Sequence, residues 1–159
     1  MTPDGPARVG IGGLEVRTSG ALSATGVGSC VVLALHDPVA KIAGLAHPML
    51  PERANAEESA WKYVDGALDH LVARMVAAGA MKERLVARVA GGASMFKSAW
   101  PDKARTVGER NVEAARTHLA RHGIAVAGED VGGTHGRTVM VQVESGAMLV
   151  KGFEGTRTI

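Results

Sequence analysis

After Cys30 the chain runs Val31-Val32-Leu33-Ala34-Leu35 with no polar residue, then meets His36 and the turn pair Asp37-Pro38. An apolar run of this length bounded by turn residues predicts a buried strand. Residues 41–47 alternate loosely and predict a second strand, folded back on the first as a hairpin. Upstream, Val9, Ile11, Leu14 and Val16 alternate around Gly12-Gly13, the pattern of a bulged or bent strand. The period then changes. Trp61, Val64, Leu68, Leu71 and Met75 recur at steps of three and four, with Lys62, Asp65, Asp69 and Arg74 off the stripe. Asn55 and Glu58 resemble a capping box for this helix, and Gly79 stands where it would end. Residues 85–90 predict a short strand running into Gly91-Gly92-Ala93, and residues 94–104, with Phe96 and Trp100, look irregular. A second helix starts near Thr106, with Glu109 completing a capping box. Val112, Ala115 and Leu119 form its apolar face, and Gly123 stops it. Residues 124–127, 137–143 and 148–153 predict strands, the last two joined by a hairpin turn at Glu144-Ser145-Gly146. Strands with two helices in this order predict an α+β domain of mixed β-sheets with the helices outside.

Composition narrows the class. A chain of 159 residues predicts one domain over 1–159, with residues 1–8 a loose tail. At 46% hydrophobic but 3% aromatic, its core is built from Ala, Val, Leu and Met. A scattered net charge of +2 argues against nucleic acid as a partner. One cysteine excludes an internal disulfide and suits a reducing compartment. No apolar run has the length of a membrane span, and the first residues lack the apolar core of a signal peptide. The expectation is a soluble cytoplasmic protein without membrane insertion.

The candidate chemistry centres on Gly26-Val27-Gly28-Ser29-Cys30. A thiol where a glycine-rich turn enters a buried strand is held rigidly, and the turn at Gly28 and Ser29 leaves backbone N–H groups free for a carbonyl oxygen. A lone cysteine is commonly just a small buried hydrophobe. Against that reading, the predicted hairpin returns His47, 17 residues on, to the same end as Cys30. A nearby imidazolium would favour the thiolate. Other features weigh less. His118 and His122 stand four apart on the second helix, a spacing that suits a metal, but no third ligand is near and His⁺ is favoured at a helix C-terminus anyway. Gly91-Gly92-Ala93 and Gly132-Gly133-Thr134-His135-Gly136 match no phosphate-binding fingerprint and read as tight turns. Glu109-Arg110-Asn111 reads as helix capping plus surface charge.

Gly28-Ser29-Cys30-Val31, His47 with Met49-Leu50-Pro51, Gly91-Gly92-Ala93, Gly108-Glu109-Arg110-Asn111, and Asp130 with Gly132-Gly133 and Gly136-Arg137 follow one another in this order. In these motifs the chain, from about residue 9 to 151, resembles the chemoreceptor glutamine deamidases, the CheD family. The resemblance implies a fold similar to a bacterial toxin deamidase, with β-sheets packed together and helices outside. It implies hydrolysis of particular glutamine amides on the cytoplasmic helices of methyl-accepting chemotaxis receptors, through a thioester on a cysteine. Cys30 and His47 take the cysteine and histidine roles, and no metal or organic cofactor is required. Members of the family often pair with a CheC-type phosphatase, so the alternative is a mainly non-catalytic partner of such a phosphatase or of a receptor. A thiol hydrolase acting on glutamines of other proteins is a third possibility. The family pattern has a third catalytic member, a threonine six residues before the cysteine. Here that position is Ala24, with Thr25 next to it. If residues 23–26 are extended, Ser23 and Thr25 point to one side and Ala24 to the other. A bulge at Gly26 would then let Thr25, rather than Ser23, orient the imidazole.

Overall fold

A computed structural model describes residues 5–55, 59–95 and 105–159. Among the described residues, ten strands form two mixed five-stranded sheets. The strands are β1 (Ala7–Arg8), β2 (Leu14–Arg17), β3 (Ala21–Val27), β4 (Val31–Asp37), β5 (Ile42–Ala46), β6 (Val86–Gly91), β7 (Ala125–Val131), β8 (Arg137–Gln142), β9 (Met148–Gly152) and β10 (Gly155–Thr158). The outer sheet has the order β1-β3-β8-β9-β10, and the central sheet β2-β5-β4-β6-β7. Each contains one parallel pair, β1 with β3 and β6 with β7. The helices α1 (Val64–Ala77) and α2 (Val107–Arg121) pack on the central sheet.

The central sheet is therefore covered on both faces, which is why all seven residues of β4 are buried. Its alternate side chains serve two cores. Val31, Leu33 and Leu35 face the helices, where they meet Leu68, Leu71, Met75, Val112 and Leu119. Cys30, Val32 and Ala34 face the outer sheet, where they meet Leu22, Ala24, Val27, Val139, Val141 and Val150. Truncating one of the large residues, such as Leu33 to Ala, costs about 2–5 kcal/mol at sites of this kind.

The α+β class and the hairpin of β4 and β5 agree with the sequence pattern. At α2, Thr106 Oγ1 accepts from the N–H of Glu109 and Gly123 adopts φ 70°, as the capping signals require. Other boundaries differ. Helix α1 starts at Val64, well past Asn55; Glu58 lies outside the described residues. The side chain of its N-cap residue, Tyr63, makes no capping hydrogen bond. The N–H of Val64 donates instead to the carbonyls of Leu50 and Pro51 at 2.9 and 3.0 Å, a tertiary cap that no local pattern announces. Trp61 belongs to a separate one-turn helix, Ala60–Lys62. The expected strand over residues 9–17 exists only from Leu14. Residues 9–13 turn, and Ile11 is exposed. Ala7 and Arg8, assigned to a tail from sequence, pair in parallel with Leu22 and Ser23. Strands β3 and β10 carried too few apolar alternations to be predicted. Phe96 and Trp100 lie outside the described residues.

Candidate active site

Cys30 closes the turn between β3 and β4, and His47 follows the last residue of β5. The ladder pairs Leu33 with Ala46, and the N–H of Val31 donates to the Pro48 carbonyl at 3.3 Å, so the antiparallel register continues past the end of β5. On that register Val32 stands opposite His47. Cys30 is then its diagonal neighbour, with Cα atoms on the order of 7–8 Å apart. Alternation puts His47 on the same face as Ala43 and Leu45, which share the inter-sheet core with Cys30. The thiol and the imidazole thus face one layer from adjacent strands.

Both are nearly closed off, Cys30 at 7% exposure and His47 at 1%. Burial pushes the Cys30 thiol up, opposed by its own backbone N–H. Burial also pushes the His47 imidazole down, opposed by the Val9 carbonyl. Both shifts disfavour the charged forms of the two groups. The thiolate–imidazolium pair expected from sequence is opposed by the second sheet lying over the site.

His47 is held at three points. Its N–H donates to the Gly13 carbonyl and its C=O accepts from the Gly12 N–H. In the side chain, Nδ1 lies 3.2 Å from the Val9 carbonyl oxygen. A carbonyl only accepts, so Nδ1 carries the hydrogen and Nε2 carries the lone pair. That Nε2 is buried and has no hydrogen-bond partner among the described residues. The imidazole is an oriented base with its basic atom open.

The Gly28–Cys30 turn is anchored through its carbonyls. Gly28 C=O accepts from Ala93 N–H at 2.9 Å, Cys30 C=O from Gly92 N–H at 2.7 Å, and Ser29 C=O from Asn111 Nδ2 at 2.8 Å. In a trans peptide the N–H points opposite the carbonyl before it. The N–H groups of Ser29 and Cys30 are therefore turned away from these anchors, and neither donates to a backbone carbonyl among the described residues. A β-carbon at Gly28 would stand 2.8 Å from the sulfur of the half-exposed Met95 side chain, which would have to shift to admit it.

Thr25 is not brought to this pair. A register irregularity does fall between Ala24 and Val27, and Gly26 has φ 64°. It leaves Thr25 and Gly26 exposed and returns Val27 to the core, with Ala24 buried before them. Ser23 is half-buried, and its carbonyl accepts from Val9 N–H. The only hydrogen bond made by the His47 ring among the described residues is the one to Val9.

The two helix histidines do not converge. His118 Nε2 lies 3.5 Å from Glu52, and His122 Nε2 lies 2.7 Å from Asp69 on α1. The His122 contact ties the end of α2 to α1, whereas His118 Nε2 is buried and makes no hydrogen bond among the described residues.

Asn111 is the residue that sequence reasoning missed. It is fully buried, and its Nδ2 donates both to Ser29 C=O and to Met49 C=O, the latter at 3.1 Å. A signal existed. Asn111 lies four residues before Ala115 and eight before Leu119, so it falls on the apolar face of α2, where an amide needs a reason.

The family described as CheD chemotactic sensory transduction matches residues 49–152. The chain belongs to the CheD family. Among its relatives, the probable chemoreceptor glutamine deamidase CheD of Archaeoglobus fulgidus is 44% identical over 147 residues, covering 92% of this chain and 93% of the relative. The chemoreceptor glutamine deamidase CheD of Thermotoga maritima is 42% identical, covering 92% of each chain. The protein of Symbiobacterium thermophilum, likewise named a probable chemoreceptor glutamine deamidase CheD, is 44% identical over 89% of each. The family match begins just after His47. The alignments with the relatives are long enough to take in both Cys30 and His47. No helix among the described residues is long and apolar enough to cross a membrane.

Proposed function

We propose that this chain hydrolyses the side-chain amides of glutamines on the cytoplasmic helices of chemotaxis receptors, converting them to glutamate residues of the receptor and releasing ammonia in the cytoplasm. The observation that carries this reading is the placement of Cys30 and His47 on adjacent strands facing one layer, with Nδ1 held by Val9 and Nε2 open. In the reaction, Nε2 takes the thiol proton as the sulfur attacks the glutamine Cδ. The resulting oxyanion is met by the N–H groups of Ser29 and Cys30, at the Gly28 turn, each worth about 3 kcal/mol in comparable sites. His47 then gives its proton to the departing nitrogen, ammonia leaves, and a thioester remains. Water passes a proton to Nε2 and attacks the thioester, giving the carboxylate and restoring the thiol. The orienting role expected of Thr25 passes to the Val9 carbonyl, which needs no hydroxyl at position 24 or 25. No metal or organic cofactor enters these steps. On family membership alone the reading extends to a CheC-type phosphatase as binding partner.

A second reading, a non-catalytic partner of the receptor or phosphatase, is favoured by the near-complete burial of both groups. The test is incubation of a receptor cytoplasmic fragment with the protein and with Cys30→Ala, followed by ammonia assay and mass spectrometry of the fragment. Amide-to-acid conversion at defined glutamines with the parent alone supports hydrolysis. Fragment binding with no conversion by the parent would favour the non-catalytic reading.

A further inference from the structure

The amide of Asn111 has two hydrogens, and the structure aims Nδ2 at two carbonyls that belong to the two halves of the candidate site. One is Ser29 C=O. It shares a peptide unit with the Cys30 N–H, so a donor fixed on the oxygen fixes the direction in which that N–H points. The other is Met49 C=O, two residues beyond His47, in the segment that Met49 and Leu50 anchor to Lys62 at the approach to α1. The Oδ1 atom has no partner among the described residues, so what Asn111 does passes through Nδ2. Its place on α2 is itself held close to the site. A β-carbon on Gly108 or on Gly92 would run into backbone of the facing segment, so both glycines permit the approach of α2 to the Gly91–Ala93 turn. That turn in turn supplies the anchors of Gly28 and Cys30.

We infer that Asn111 is a positioning residue for the amide hydrolysis. It locks the Ser29–Cys30 peptide with its N–H toward the reacting carbonyl and clamps the nucleophile turn to the His47 segment. This rests on the reading of Cys30 and His47 given above. A misplacement of about 1 Å at a site of this kind costs roughly 10²-fold in rate. Asn111→Ala should therefore lower kcat about a hundredfold, with KM for a receptor fragment little changed, because Asn111 is buried behind the turn and touches no substrate. Asn111→Asp keeps the shape. Ionised, it has no hydrogen to give; protonated, it regains one donor. Its activity relative to the parent should rise as pH is lowered from about 8 to 6, a trend that burial of the carboxyl favours.

The experiment measures kcat and KM for ammonia release from a receptor fragment by parent, Asn111→Ala, Asn111→Asp and Cys30→Ala. Rates are normalised to folded Cys30 thiol titrated in each preparation, or to folded protein for Cys30→Ala, and thermal melts run alongside. If Asn111→Ala does not fold, Asn111→Asp carries the test. A kcat loss per folded thiol at steady KM, with pH-dependent recovery in Asn111→Asp, supports the assignment. A kcat per folded thiol within twofold of the parent overturns it, even where the melting temperature falls, because that is the outcome of a merely structural amide. Retained turnover in Cys30→Ala would remove the site reading itself, so the two failures are told apart.

Discussion

The hairpin that delivers Cys30 and His47 to one place turns at Asp37, and Asp37→Ala tests how that turn is held. The Asp37 side chain is fully buried. It accepts from Val39 N–H at 2.9 Å, Ala40 N–H at 3.0 Å, Met81 N–H at 2.9 Å and the Arg84 guanidinium at 2.9–3.0 Å. Burial alone would push the carboxyl up. The Arg84 guanidinium and the three N–H groups outweigh it and hold the group well below the usual carboxylate range. Breaking a buried charge pair by removing one partner costs about 3–5 kcal/mol. Here the lower end applies, because Arg84 is part-exposed and Val39 and Met81 lie at the surface, so the stranded donors can reach water. About 3 kcal/mol at roughly 2–4 °C per kcal/mol is a fall of about 6–12 °C in Tm at neutral pH. The sign of the pH dependence follows from a folded-state value depressed below the unfolded one. The contribution is fully present above the unfolded value of about 3.9 and is lost as pH falls toward the folded one. The gap in stability between parent and Asp37→Ala should therefore hold from about pH 8 to 5 and shrink steadily below about pH 4. Kcat per folded molecule should be nearly unchanged, since the ladder from Leu33–Ala46 to His36–Ala43 still sets the hairpin register. Urea or thermal unfolding of both proteins across this pH range is the assay. A gap below about 1 kcal/mol, or one that does not narrow in acid, would refute the reasoning.

The site makes three further predictions. Iodoacetamide should label Cys30 more slowly in the folded protein than in the unfolded chain at neutral pH, with a midpoint above the ordinary thiol value, because burial pushes it up; faster labelling when folded would restore the thiolate expected from sequence. His47→Ala should lose about 10²–10⁴-fold in turnover, and because burial pushes His47 down, the parent should keep full kcat/KM to below about pH 6.5; a plateau reached only above that value would count against it. Thr25→Ala, Ser23→Ala and His118→Ala should each stay within about twofold of the parent in ammonia release, and a tenfold loss in Thr25→Ala would return the orienting role to that hydroxyl.

Local signals in the sequence determined a good part of this protein. The apolar run after Cys30, the Asp37-Pro38 turn and the loose alternation to His47 describe β4, its turn and β5 because neighbouring residues make a hairpin. Thr106, Glu109 and Gly123 bound α2 for the same reason, since caps act within one turn of helix. Five short motifs in order, from Gly28-Ser29-Cys30-Val31 to Gly136-Arg137, sufficed to name the family. What only the tertiary structure decided involves partners far apart in the chain. Val9 reaches His47 across 38 residues, and its carbonyl selects the nitrogen that stays basic. Asn111 reaches Ser29 across 82 residues and Met49 across 62, and its place on the apolar face of α2 did not say what it would bond. Alternation sets Thr25 and Ala24 on opposite sides of the strand but does not say which side is buried. The irregular pairing of β3 with β8 faces one outward and buries the other, and β8 begins more than a hundred residues after them. The second sheet bears on the charge of the pair for the same reason. From sequence a thiol near a histidine reads as a thiolate, whereas burial under a second sheet pushes the Cys30 thiol up and the His47 imidazole down, both against charge.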